Sequence, residues 1–460
     1  MENLHHAFLF DSWRWREHCE LQGLYDRMWD DLPKTGSKPK TLESMRHHLK
    51  LFLCNLYVSY YYRKPVAVAL KSVVFTHGRY KALHLKRIPF MAIYSYLKSA
   101  GWIGFQPGYR PFCRDDEERE FVGSVTRIWA SERLERVFSE CGDFLPEREG
   151  HDCIILRDLD KKDIQFEENA FTTRLRFELE SVNRVFSSHY FVYNAANIYS
   201  EVIRNPYYRG DDSDSHLAST NNSIPSLREP NEILRRFCPR IKAVFSRGDF
   251  SCGGRLYSDG IGDWQAMPQA QRGTIRIDNC RTVELDFHSF HISMLYAVEG
   301  RQITGDPYSA VAPKALRPVV KKLLLTVLNA SSIGEAASAM RQQIIVLRNK
   351  PFLKERDLNF LRAYYRYHPD WIVLIERLIN AHPVIRSYFC TGAGLFLQRL
   401  DSEIMRNVLL KLAERNIPCL PVHDSAIVQY FREWDLRREM NNAYRGMFPG
   451  FWCGIEKKCA

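Results

Sequence analysis

The chain has 460 residues, more than one core usually holds, and its 45% hydrophobic and 26% charged make-up excludes a disordered or collagen-like protein. No apolar run reaches the ~18 residues of a membrane span, and the N-terminus lacks the basic-then-apolar pattern of a secretory leader, so a cytoplasmic protein without membrane partners is expected. Twelve scattered cysteines, with no CxxC pair, exclude a zinc finger and read as reduced thiols. The net charge is +11, but residues 34–114 alone hold fifteen Lys/Arg against one acid, Glu43, and carry +14. A basic block interleaved with aromatics suits a polyanion, since phosphate charge dominates nucleic-acid affinity and rings stack on bases.

Residues 1–33 are Trp-rich and read as helical, and KTGSKPK (34–40) as a linker. From 41 to about 112 the spacing predicts helices. The last of these carries Ile88, Met91, Tyr94 and Leu97 at helical spacing and stops at Ala100-Gly101. An extended aromatic stretch follows. Helix, glycine and short hairpin are similar to a winged helix-turn-helix module with its wing. RDDEERE (114–120) reads as a solvated acidic loop or helix start, 165–203 as mostly helical, and 207–230 as a mobile loop or domain junction. After that, strands and helices alternate to the end.

Three stretches in this second half carry chemistry. In TVELDFHSFHISMLYAVEG (282–300) a strand ends on Asp286, and a helix that Ser289 can cap follows. In NIPCLPVHDSAIVQYF (416–431) two short apolar runs flank His423-Asp424-Ser425, a hairpin with an aspartate near its tip. Two aspartates on adjacent strand ends can hold two Mg²⁺ ions about 3.5–4 Å apart, with phosphates and water completing the shells; Mn²⁺ can substitute. In ALRPVVKKLLLTVLNASS (315–332), Arg317, Lys321, Leu325 and Asn329 share one helix face. Pro318 places Arg317 at the positive end of that helix. GGRLYSDGIGDWQAMP (253–268) adds Arg255 and Gln265. LFLQRLDSEIMRNVLLKLAERN (395–416) has a buried stripe of Leu397, Leu400, Ile404, Val408 and Leu412, with Gln398 pointing elsewhere.

In this order the five stretches resemble the polymerase domain of family A DNA polymerases and the related single-subunit, phage-type RNA polymerases. VELDFHSFH looks like motif A, RPVVKKLLLTVLNAS like motif B and PVHDSAIV like motif C. The match spans roughly residues 250–430. The resemblance implies an α+β right hand of palm, fingers and thumb. A basic, mainly helical N-terminal domain (1–150) would precede a thumb-like helical region (151–235). Palm and fingers would fill 236–460, with the fingers at about 300–395. It implies that Asp286, Asp424 and the Phe287 carbonyl bind the catalytic Mg²⁺ ions. Arg317, Lys321, Leu325, Asn329, Phe287 and His291 would face the nucleoside triphosphate, and Arg255, Gln265, Gln398 and His423 the primer and template DNA. The sequence differs from the family pattern at Asn329 (usually Tyr), Ala330 (usually Gly), His291 (usually the Glu of the steric gate) and Ser425 (Glu in the DNA polymerases).

The reading that follows is a compact template-dependent nucleotidyltransferase, a DNA polymerase without a proofreading exonuclease, of a size that suits replication of a mobile genetic element. Two alternatives accompany it. One is an RNA polymerase or primase using ribonucleotides, to which Ser425 points. The other is a DNA-binding replication or defence protein with an inactive palm, to which Asn329 and Ala330 point.

Overall fold

A computed structural model describes residues 7–11, 19–34, 38–76, 85–108, 125–142, 144, 152–195, 202–207, 234–259, 262–350 and 352–458. The acidic run 114–120, most of the expected wing and all but the first residue of the 207–230 loop lie outside them. The chain divides into two compact units, Met1–Asp152 and Cys153–Ala460. Both mix helix and strand, and no helix among the described residues is long and apolar enough to cross a membrane.

The N-terminal unit is built around the helix Pro39–Tyr62. Pro39 starts it, where a missing N–H costs nothing. Met45, Leu49, Phe52, Leu53 and Leu56 recur at helical spacing and are all buried. His48, also buried, joins this helix to the helix Arg87–Ser99. Its Nδ1 donates to Ser44 O at 2.6 Å, and its Nε2 accepts the Lys86 N–H at 3.2 Å, just before the second helix begins. Burial pushes the imidazole pKa down to about 4, so the ring is neutral and both contacts hold. A four-stranded sheet runs Phe8–Leu9, Val66–Val68, Thr126–Ala130, Ile103–Gln106 in spatial order.

The C-terminal unit contains two main sheets and a two-stranded pair, Val202–Arg204 with Phe352–Lys354. In the smaller main sheet, the order is Asp249–Ser258, Ile241–Ser246, Ile154–Arg157, Asp163–Ile164. In the larger it is Leu420–Val422, Ser425–Gln429, Cys280–Phe287, Arg276–Ile277, Phe191–Asn194, Leu234–Phe237. The C-terminal strand Ile455–Lys458 adds to the free end of Cys280–Phe287, opposite Ser425–Gln429. The helix Ala170–Ser187 packs on the smaller sheet, where the Asn183 amide exchanges two hydrogen bonds with the Ile241 backbone.

The helix Gly394–Ala413 packs on Asp249–Ser258 and on the helix Glu433–Met447. Four further helices, Arg317–Asn329, Ile333–Arg348, Glu355–Tyr367 and Trp371–Ala381, pack on one another.

One expectation needs correction. Among the described residues of 165–203, helix covers only 170–187. Phe191-Val192-Tyr193 is then a fully buried strand, and its continuous apolar run suits a sheet centre better than a one-sided helix. The described part of 151–235 thus contributes strands to both main sheets and to the two-stranded pair, besides the helix 170–187.

The bend in Asp249–Ser258 comes from Gly253-Gly254, where its pairing with Ile241–Ser246 shifts register. Gly254 has φ +84°, and a Cβ there would lie 2.7 Å from Phe245 Cε1. Gly254→Ala is expected to cost ~2–4 kcal/mol, from left-handed strain plus overpacking. The reading is a lower urea midpoint for the C-terminal unit, and an unchanged midpoint contradicts the close-packing argument.

Candidate active site

The strand Cys280–Phe287 pairs antiparallel with Ser425–Gln429 from Thr282↔Gln429 to Asp286↔Ser425. At its end, Phe287 N–H donates to the Asp424 carbonyl at 3.2 Å. The two predicted aspartates are thus held on neighbouring strand ends by backbone bonds. His423, in the left-handed conformation at φ 59°, turns the hairpin that presents Asp424. Trp264 and Gln265 fix that hairpin: Trp264 Nε1 and Gln265 Nε2 each donate to Pro421 O at 2.9 Å. Gln265 also accepts from Ser258 N and donates to Leu256 O. Its amide thus braces neighbouring strands within the protein.

Alternation along Cys280–Phe287 sends Val283, Leu285 and Phe287 into the core, and Phe287 stacks on Phe290 at 4.3 Å. Glu284 and Asp286 lie on the other face, two residues apart. Their surroundings differ sharply. Arg272 grips Glu284 through two bonds of 2.9 and 3.0 Å, Ser425 Oγ donates to it at 2.7 Å, and Lys458 Nζ lies 3.3 Å away. Burial raises the Glu284 pKa, but Arg272, Ser425 and Lys458 together outweigh it and the net shift is downward. Ser425, read as a mark of ribonucleotide chemistry, is fully buried and spends its hydroxyl on Glu284.

Among the described residues Asp286 has one ion-pair partner, Lys458 at 3.2 Å, and its buried Oδ1 accepts no hydrogen bond. Burial first, and then the charge of Asp424, push its pKa up from 3.8 to about 6; Lys458 and Lys321 pull the other way. Asp286, Asp424 and Lys321 therefore sit within one another's electrostatic reach.

Beside this pair lies a second polar group. Arg255 Nη2 donates to Asp401 Oδ2 at 3.1 Å, and His291 Nε2 is 3.9 Å from the same oxygen. Burial and the charge of Arg255 hold His423 below its usual pKa, while Asp401 and Asp424 pull it back up. Arg255, His291 and His423 thus come together around Asp401, a buried carboxylate on the helix Gly394–Ala413. The sequence reading passed over Asp401, which lies within an otherwise apolar stripe. Gln398, on the same helix, is half-buried.

The helix Arg317–Asn329 starts at Arg317, as Pro318 predicts. Lys321, Leu325 and Asn329 form an exposed line along it, continuing from half-buried Arg317. Arg317 bonds Asp306 at 3.1 Å and lies over the Tyr308 ring. Tyr308, also unforeseen, is buried; burial raises its pKa, and Ser289 pulls the other way. Ser289 was expected to cap the following helix. It sits at the N-cap with φ 52° and makes no capping bond. Asn329 lies against the backbone of Gly394, where a Cβ would fall 1.9 Å from its Oδ1.

The carboxylate pair suits a hard divalent cation: its oxygens are hard donors, one lacks a hydrogen bond, and like charge repels across the gap. Among the described residues no cluster of three or more His, Cys, Asp or Glu is arranged to hold a metal. Phosphate oxygens and water would have to complete the shell. Comparison with protein-family models found no match, and neither did comparison with curated proteins.

A carboxyl whose pKa rises on folding binds more protons in the folded chain. Its penalty is absent below the unfolded value of 3.8 and complete above about 6. Asp286→Asn should therefore be more stable than the parent near neutral pH, by ~1–3 kcal/mol in chelator, with the gap closing as pH falls toward 4. Urea melts across that range test this, and a gap independent of pH contradicts it.

Proposed function

We propose that the C-terminal unit is a template-dependent nucleotidyltransferase with a right-hand polymerase fold, and that it acts as a DNA polymerase. The observation that carries this reading is the convergence of Asp286 and Asp424 on paired strand ends, with Lys321 near enough to lower the Asp286 pKa. A structural aspartate pair would be neutralised as Glu284 is. Here repulsion is kept, which is how a site binds cations with the charge still to be offset.

Asp286 and Asp424 would hold Mg²⁺, which when bound supplies charge neutralisation and a more acidic attacking 3′-hydroxyl. Lys321 and Arg317 then hold the triphosphate along the exposed helix line, Lys321 as a point charge and Arg317 as a fork. Catalysis rests on alignment of the 3′-hydroxyl with the α-phosphorus and on charge already in place. Arg255 and His423, half-buried beside the buried Asp401, meet the primer strand, with Gln398 on the Asp401 helix facing the duplex. His291, braced by Asp401, stands near the sugar. With Ser425 spent on Glu284, the case for ribonucleotides loses its main support.

A second reading has an observation of its own. Lys458 sits on Asp286 and would leave the palm inert if that ion pair were permanent.

The test is primer extension with labelled dNTPs or rNTPs. The parent should extend a primed DNA template with dNTPs. Asp286→Ala and Asp424→Ala should each lose on the order of 10³-fold or more, and Lys321→Ala about 10–10³-fold in kcat/KM. Extension that survives both aspartate changes overturns the assignment. No extension by the parent favours the inert palm, and extension restored in Lys458→Ala would identify the ion pair as the cause.

A further inference from the structure

The N-terminal unit has no part in that chemistry, yet its layout is specific. In chain order it runs helix Pro39–Tyr62, strand Val66–Val68, a helical turn Val73–Thr76, helix Arg87–Ser99, strand Ile103–Gln106, strand Thr126–Ala130. The last strand lies antiparallel between the other two. This is the order and pairing of a winged helix, with Arg87–Ser99 in the position of the recognition helix. Phe8–Leu9 adds a parallel edge strand.

One side of that helix is core: Phe90, Ile93, Tyr94 and Leu97 are buried. The opposite side carries Ile88, 75% exposed, then half-buried Met91 and Ala92, and exposed Ser95 and Ser99. Apart from the branched Ile88 these are short or unbranched groups, in a line along the helix. Cations frame the line. Lys86 and Arg87 are exposed at the positive end of the helix, and among the described residues neither has an ion-pair partner. Lys98 is exposed at the other end, with its ammonium 4.0 Å over the Phe105 ring of the adjoining strand.

We propose that this unit reads duplex DNA, with the helix Arg87–Ser99 lying in the major groove. Charge complementarity fixes the occupant as a polyanion: the 34–114 segment carries fifteen cations against one acid. Groove width selects among polyanions. A helix about 10–12 Å across fits the ~12 Å major groove of B-DNA, whereas the deep, narrow major groove of A-form RNA excludes it. Ile88, Met91 and Ala92 offer apolar contact to thymine methyls, and Ser95 a hydroxyl to base edges, so the surface discriminates sequence. Lys86, Arg87 and Lys98 neutralise phosphates on the groove walls. His48, which holds the Lys86 N–H, fixes the height at which the helix starts.

The experiment uses the full chain in chelator and without nucleotides, so that the outcome does not depend on catalysis. The probe is a duplex library with a randomised core of about two helical turns, selected over several rounds and then measured by fluorescence anisotropy. The expected result is enrichment of a defined duplex motif. Ile88→Glu and Ser95→Glu, both at exposed positions, should weaken binding to that motif by on the order of 100-fold. The double change Lys86→Ala with Arg87→Ala should weaken all duplexes alike and reduce the salt slope by about 2. Circular dichroism checks that each variant keeps its helix content. Selection of no motif, motif binding unchanged in both Glu variants, or preference for RNA hairpins or single strands would each overturn the proposal.

Discussion

The C-terminal unit depends on the register between two strands that are 139 residues apart at their nearest paired ends, from Thr282↔Gln429 to Asp286↔Ser425. A slip of one residue would turn Asp286 into the core and Leu285 out to solvent. The register is fixed from three sides. Val283, Leu285 and Phe287 bury on one face, while Ser425 bonds Glu284 on the other. Trp264 and Gln265 pin the Pro421 carbonyl at the far edge of the hairpin. With these in place Asp286 and Asp424 have nowhere to go but together, and their mutual repulsion is borne by the surrounding fold.

Two carboxylates on one strand face have opposite fates. Glu284 receives Arg272, Ser425 and Lys458 and its pKa falls; Asp286 shares Lys458 and faces Asp424, and its pKa rises. The pattern is a saturated structural charge beside an unsaturated one. Stability is drawn from the first and given up at the second, which is the arrangement expected where a charged ligand completes the site. The helix Gly394–Ala413 extends this logic. Its buried Asp401 orders Arg255 and His291 near the same strand ends, and Arg406 on a later turn pairs with Glu178 at 2.9 Å.

Features governed by local rules were legible in the sequence. Pro318 announced the start of its helix, the apolar run ending at Asp286 was a strand, and His423-Asp424 was a hairpin turn. The Arg317–Lys321–Leu325–Asn329 face followed from periodicity alone. What stayed hidden was long-range. Lys458 reaches Asp286 only because the chain end adds a strand, and nothing near either residue signals that pairing. Asp401 hid within an apolar stripe because its partner, Arg255, is 146 residues away. The bracing role of Gln265 was hidden because an amide says nothing of whether its partners are DNA or backbone. The strand Phe191–Asn194 was read as helix because short apolar runs carry no period of their own.

The most direct test of the central claim is diffraction from crystals grown with Mn²⁺ and a non-hydrolysable nucleoside triphosphate, using the anomalous signal of the metal. The account predicts metal between the Asp286 and Asp424 carboxylates, triphosphate oxygens in its shell facing Lys321, and Lys458 drawn back toward Glu284. Saturating metal that leaves this gap without anomalous density, with Lys458 still seated on Asp286, would contradict it.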